Sequence, residues 1–261
     1  MAQRTWFPDE LAGSKVVLRR HVPGNVAAFL RWYADPEIAR LARYQATPMR
    51  PEEIERFFTA RVVGPNALAM AVHEKATDRL VGTCAFSQLD GENGSALYHI
   101  TIGEQDAWGH GFGTEATQLM LDHAFGTLGL HRIALYVFEF NERAIRAYQR
   151  CGFVVEGRSR ESIWRDGRWW DEMAMSVLES DWRKRHEAAV PMGGAGVRED
   201  GADEGVTPVK VDGTEVAEPV GVGVDEPVAD MEVAKPAVAR VDEPVVAGTS
   251  DRVRRTLGRW R

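Results

Sequence analysis

The sequence predicts an α+β domain in which helices flank a central sheet, followed by a tail too poor in large apolar groups to fold. Three observations support this. Runs of strand length alternate with helix-period segments in the order β-α-α-β-β-β-α-β-α-β-β. Turn residues at 75–79, 90–94 and 165–167 join neighbouring strands into hairpins. Composition breaks near residue 185: the first 185 of 261 residues hold all ten Phe, all five Tyr and seven of the eight Trp, with 23 basic against 24 acidic side chains. A domain over 1–185 and a tail over 186–261 follow.

Residues 15–20 read as the first strand, set off by Gly13-Ser14 and Pro23-Gly24. Asn25 is placed to cap a helix whose Ala27, Phe29, Leu30 and Tyr33 make one apolar face. Asp35-Pro36 breaks that helix, and 37–44 resumes as a short second piece. Pro51 suits the first turn of a third helix, with Glu52 and Glu53 at the favourable end of its dipole and Ile54, Phe57, Phe58 and Ala60 to pack. Strands follow at 67–73, 80–89 and 96–102. A helix over 114–127 turns Ala116, Leu119, Met120, Ala124, Phe125 and Leu128 inward, with Gly126 and Gly129 marking its exit. Arg132–Phe138 is apolar and β-rich, the pattern of a buried strand. Asn141 caps a short helix in which Ala144, Ile145 and Tyr148 share a face, and Gly152 stops it. Residues 153–164 and 168–178 form a hairpin about Asp166-Gly167, and the domain closes near 182–185.

The chemistry concentrates at 108–116, Trp-Gly-His-Gly-Phe-Gly-Thr-Glu-Ala. Glycines permit positive φ and close approach of a ligand, and the unpaired amides that open a helix bind anions, diphosphates above all. A turn without chemistry is the competing reading. No Lys follows the glycines as a nucleoside-triphosphate loop requires, and the third glycine comes one residue early for a dinucleotide fingerprint. The flanks decide.

With a glycine loop between the strand at 96–102 and its helix, the chain resembles the Gcn5-related N-acetyltransferase (GNAT) superfamily. That family's cofactor motif is Q/R-x-x-G-x-G/A, and Trp108-Gly-His-Gly111-Phe-Gly113 matches its two later positions. Asn141-Glu-Arg-Ala-Ile-Arg-Ala-Tyr148-Gln-Arg-Cys-Gly-Phe153 is similar to the next family element. The resemblance covers about 13–182. Tyr33-Ala-Asp35-Pro36-Glu37 and Gly111-Phe-Gly-Thr-Glu115-Ala resemble the branch that acetylates ribosomal-protein N-termini, whose members also include acyltransferases for small amines and antibiotics. The fold implied is a mostly antiparallel sheet of six to seven strands flanked by helices.

The resemblance implies acetyl-CoA as acyl donor, no metal, and direct attack by a primary amine. The cofactor segment is Trp108, Gly109, His110, Gly111, Phe112, Gly113 and Thr114, whose amides would take the diphosphate. Ile100, Thr101 and Ile102, where their strand parts from the next, would pair with the pantetheine, and Asn141 would contact it as well as cap its helix. Tyr148 matches the tyrosine that protonates the departing CoA sulfur; packing on the helix face is its alternative role. Glu104 is the candidate base beside Glu139 and His99, each of which also suits a solvated, salt-bridged or core position. Trp108 departs from the motif, where Gln or Arg is expected, so cofactor affinity is altered and not abolished.

Acceptor selection falls to Tyr44 and Gln45 and to Trp164, Arg165, Arg168, Trp169 and Trp170, where the tryptophans form a peptide-binding wall, core, or a homodimer contact. The acceptor is a protein or peptide N-terminus, with a polyamine or aminoglycoside as runner-up and a non-catalytic CoA-binding module as the alternative from another class. The tail repeats Val-Asp-Glu-Pro-Val at 224–228 and 241–245 and carries 15 acids against 4 bases over 187–251. Its low complexity marks it as disordered. The last ten residues hold five Arg and no acid, which leaves docking on RNA, an anionic membrane or an acidic patch open beside simple solvation. With no apolar membrane-spanning run, no secretory pattern at the start, and only Cys84 and Cys151 as small buried thiols, the expected compartment is the cytoplasm.

Overall fold

The computed structural model describes residues 7–64 and 67–189. The expectations for 190–261, the repeated acidic stretch and the arginine-rich end among them, lie outside the described residues. Eight strands form one sheet: β1 (Glu10–Ala12), β2 (Val16–Arg20), β3 (Ala69–Glu74), β4 (Leu80–Asp90), β5 (Ser95–Ile102), β6 (Arg132–Phe138), β7 (Val154–Arg165) and β8 (Arg168–Leu178). Their order is β1-β2-β3-β4-β5-β6-β8-β7. Every neighbouring pair is antiparallel except β5 and β6. Among the described residues six α-helices accompany them: α1 (Val26–Tyr33), α2 (Pro36–Ala42), α3 (Pro51–Phe57), α4 (Phe112–Gly126), α5 (Glu142–Cys151) and α6 (Glu179–Ala189). The mixed fold is as predicted, with one strand more than the six to seven expected. The addition is β1, three residues without an alternating pattern, which its partner β2 holds in place.

Strand alternation divides the apolar residues between two faces. One face presents Val16, Leu18, Met70, Val72, Cys84, Phe86, Tyr98, Ile133, Leu135, Met173, Met175 and Val177 to Ala116, Met120, Leu121 and Ala124 of α4 and to Phe153. A second core forms where Phe29 and Trp32 of α1 meet Ile54 of α3, Phe58 and Val62, with Ala69 of β3 beneath them. Gly103 fits this packing without a side chain: a Cβ there would stand 2.1 Å from the Trp32 ring.

Local chemistry sets most element ends. Asp35 caps α2 by accepting from the amides of Glu37 (2.8 Å) and Ile38 (3.2 Å). Asn141 caps α5, and Gly152 ends it at φ +100°. Asp166 and Gly167, at φ +53° and +79°, make the tight turn between β7 and β8. Asn25 departs from expectation. Its side chain makes no capping bond; its amide faces the His21 ring at 3.2 Å, and Pro23–Asn25 forms a 3-10 turn leading into α1. Ala60 is exposed because the chain widens to a π turn over Phe58–Val62 and rotates it outward. The last helix continues to Ala189, past the 182–185 at which closure was expected.

Candidate active site

β5 and β6 run parallel only from Ser95 and Arg132 to Leu97 and Ala134. Beyond that register they separate, so the edge of β5 that faces β6 has no strand partner over 98–102. A parallel pair needs a crossover, here supplied by α4, whose first turn stands at the mouth of this gap. Gly109 at φ +82° and Gly111 at φ +85° bring the chain into the helix. The helix starts at Phe112, two residues before the predicted Thr114, because Gly111 itself takes the left-handed N-cap conformation. No side chain caps that end. The opening amides of α4 are therefore free of the usual Ser, Thr or Asp oxygen, and the positive end of the helix dipole meets the gap.

A cleft of about 200 Å³ fills the gap. Its floor is Ile100, Thr101 and Ile102 of β5, its mouth is the loop from Trp108 to Thr114, and α5 forms one wall with Asn141, Arg143, Ala144, Ala147 and Tyr148. Ile38, Leu41 and Ala42 of α2 form part of the remaining boundary. Outside the mouth lies a polar groove lined by Lys15, His110, Gln118 and Arg150. An apolar channel that ends at uncapped helix amides, with cations beyond, suits a ligand with a long neutral arm and a phosphorylated end.

Comparisons with known proteins give this shape a name. Residues 15–154 match the acetyltransferase (GNAT) domain family. This chain belongs to the GNAT acetyltransferase family. It is 27% identical to the N-acetyltransferase p20 of Bacillus licheniformis over 177 residues, 67% of this chain and 98% of that protein. With the spermidine N(1)-acetyltransferase of Vibrio cholerae it shares 32% identity over 136 residues, 52% of this chain and 78% of the relative. The crystal structure of spermidine N-acetyltransferase from Vibrio cholerae, in complex with CoA and spermine, superposes with a TM-score of 0.58 at 25% identity, covering 66% of this chain and 99% of that one. The enzyme is an N-acetyltransferase that uses acetyl-CoA.

The GNAT chain brings most of the sequence-predicted site residues together. Ile100, Thr101, Ile102, Trp108, Gly109, Gly111, Phe112, Gly113, Thr114, Asn141 and Tyr148 all line the cleft, and His110 lines the outer groove. Asn141 accepts from the Ala144 amide at 3.3 Å and donates to the Leu41 carbonyl at 3.4 Å, so it couples α5 to the end of α2. Burial pushes the Tyr148 phenol above its ordinary range, which keeps it protonated at neutral pH. Among the described residues no group hydrogen-bonds its hydroxyl.

Glu104 stands apart from these. It does not line the cleft, and its carboxylate accepts from Arg31 and from the Trp32 indole, both at 2.9 Å. Glu139 is paired with Arg158 at 3.2 Å, and His99 meets the Ser87 hydroxyl at 2.6 Å. Glu115, part of the glycine-loop motif, ties α4 to the start of β2: it accepts from the amides of Ser14, Lys15 and Val16 and from the Ser14 hydroxyl at 2.5–2.9 Å. Burial opposes ionisation of Glu115, but these donors outweigh it and hold its pKa below the usual carboxylate value.

Three contributors escape a motif search. Glu172, buried at 7% exposure, accepts from the Tyr44 hydroxyl and pairs across strands with Phe138. Burial and the Glu172 carboxylate together push the Tyr44 phenol well up. Arg143 lies over the Trp108 ring, 3.8 Å from its centroid. Thr117 bonds the Gly113 carbonyl at 2.7 Å and meets the Tyr98 hydroxyl at 3.1 Å, fixing the first turn of α4 to β5. None of the three was singled out from the sequence; Tyr44, the partner of Glu172, was, for its place between two short helices.

Proposed function

We propose that the enzyme transfers the acetyl group to the amino group of a peptide or protein N-terminus. The observation that carries this reading is the charge on the side of the sheet facing α2. Arg40 of α2, Arg43 just after it, and Arg165 and Arg168 of the β7–β8 hairpin lie on the segments that also hold Tyr44 and the buried Glu172 to which its hydroxyl donates. Arg40 is paired with Asp166, Arg165 donates to the carbonyls of Arg43 and Tyr44, and Arg168 stacks on Trp170. One carboxylate suits one ammonium, whereas arginines on the same segments disfavour the remaining charges of a polycation.

In this reading the α4 amides at Phe112, Gly113 and Thr114 hold the diphosphate, and the free edge of β5 orients the pantetheine amides. Acetyl-CoA supplies an activated thioester carbonyl, and main-chain donors on β5 stabilise the negative charge that develops on its oxygen. The acceptor amine must lose a proton to attack. We assign the general base to Glu172, a buried carboxylate that accepts from Tyr44 and pairs across strands with Phe138 at the end of β6; like Glu104 it lies outside the lining of the cleft. Glu172 takes the amine proton, directly or through water, and Tyr148 gives one to the departing sulfur. Glu104, already held by Arg31 and Trp32, positions α1 against the loop.

A second reading is a polyamine acceptor, favoured by the relatives named as spermidine acetyltransferases. An acceptor panel of short peptides, spermidine and an aminoglycoside, scored by kcat/KM, separates the two. The highest value belongs to peptides; a higher value for spermidine overturns the peptide assignment and supports the polyamine.

A further inference from the structure

Trp108 occupies the position at which the family motif carries Gln or Arg, and the structure shows what became of the missing polar group. The indole N–H donates to the Ile102 carbonyl at 2.7 Å, anchoring the loop to the last residue of β5. The ring's other asset is its face. Arg143, from the first turn of α5, sets its guanidinium 3.8 Å from the ring centroid. Both residues line the cleft beside Gly109, Gly111 and Thr114. Arg146 pairs with Glu142 at 2.9 Å and Arg40 with Asp166 at 2.6 Å, whereas Arg150, also on α5, lines both the cleft and the outer groove. Among the described residues Arg143 has no hydrogen-bond or ion-pair partner; Glu37 is the acid whose charge reaches it, beyond ion-pair distance.

A guanidinium that is stacked on an aromatic face keeps its planar edge of N–H donors free. Holding such an edge at uncapped helix amides makes sense for an anion with several oxygens. We propose that Arg143, oriented by Trp108, binds the diphosphate of acetyl-CoA and supplies from α5 the charge that the loop motif lacks. The inference rests on the diphosphate lying at the α4 amides. It also gives Trp108 a role, as the platform for a cation delivered from another element.

Binding calorimetry on the full chain with CoA, dephospho-CoA and pantetheine tests this without reference to turnover. Arg143→Ala weakens CoA and dephospho-CoA equally, by about 10- to 100-fold, and leaves pantetheine unchanged, since only the first two carry a diphosphate. Arg143→Ala combined with Trp108→Arg, which returns a cation to the motif position, recovers part of the loss. Arg143 is exposed and unpaired, so the variant keeps its fold, which circular dichroism checks. Arg143→Ala affinity within twofold of wild type overturns the proposal, as does an equal loss for pantetheine or a loss confined to CoA, which carries the additional 3′-phosphate. Failure of wild type to bind CoA would instead overturn the placement of the cofactor.

Discussion

At the residue scale two carboxylates and one phenol have separable roles to test. Glu172→Gln lowers kcat by about 10²-fold or more, the usual contribution of a positioned base, while Glu104→Gln stays within a few-fold. Steady-state kinetics on both variants checks this, and the opposite ranking would return the base to Glu104. Tyr148→Phe lowers kcat with little change in KM, and its effect persists across neutral pH because burial keeps the phenol protonated. Full turnover in that variant would reduce Tyr148 to a packing residue. The glycines, Asn141 and Tyr148 were legible in the sequence because their setting is local: each stands where its own turn or helix places it. Glu172 was not. Its setting depends on Tyr44, 128 residues away, and on strand neighbours that only the sheet order brings together.

At the element scale, helix caps and tight turns were read well, because Asp35, Gly152 and Asp166-Gly167 act within a few residues of themselves. Asn25 stands at the N-cap of α1 but turns its side chain to His21, and Ala60 is exposed, because tertiary packing overrides local preference at both. The His21 ring that engages Asn25 also produces a pH effect. His21 sits between Thr83, at 3.0 Å, and the aromatic rings of Phe29 and Phe58. Burial lowers its pKa to about 4 from 6.5, against a raising contribution from the Met70 backbone. The folded protein thus refuses a proton that the unfolded chain accepts below about pH 6.5. This contribution to stability is complete above pH 6.5 and is lost as pH falls towards 4, amounting to about 3 kcal/mol at the lower limit. Denaturant titrations at pH 7 and pH 4.5 measure it. The His21→Gln variant shows a smaller difference between the two pH values; an unchanged difference would move the acid sensitivity elsewhere.

At the scale of the whole molecule, the separation of β5 from β6 joins fold to function. A continuous parallel pair would leave no cleft, and the uncapped start of α4 stands at the mouth of this one. The sequence carried the position of this gap through its glycine loop and the following Asn141 element. It could not carry the lining of the cleft, to which α2 and α5 contribute from distant parts of the chain. Among the described residues no helix is long and apolar enough to cross a membrane, and no group of three metal-ligating side chains forms. The most direct test of the central claim is amide hydrogen exchange with and without acetyl-CoA. Protection rises at 100–102 and at 109–115, the free β5 edge and the opening of α4, and changes little along β2 and β3. Saturating acetyl-CoA binding that leaves those two segments unprotected would contradict the account.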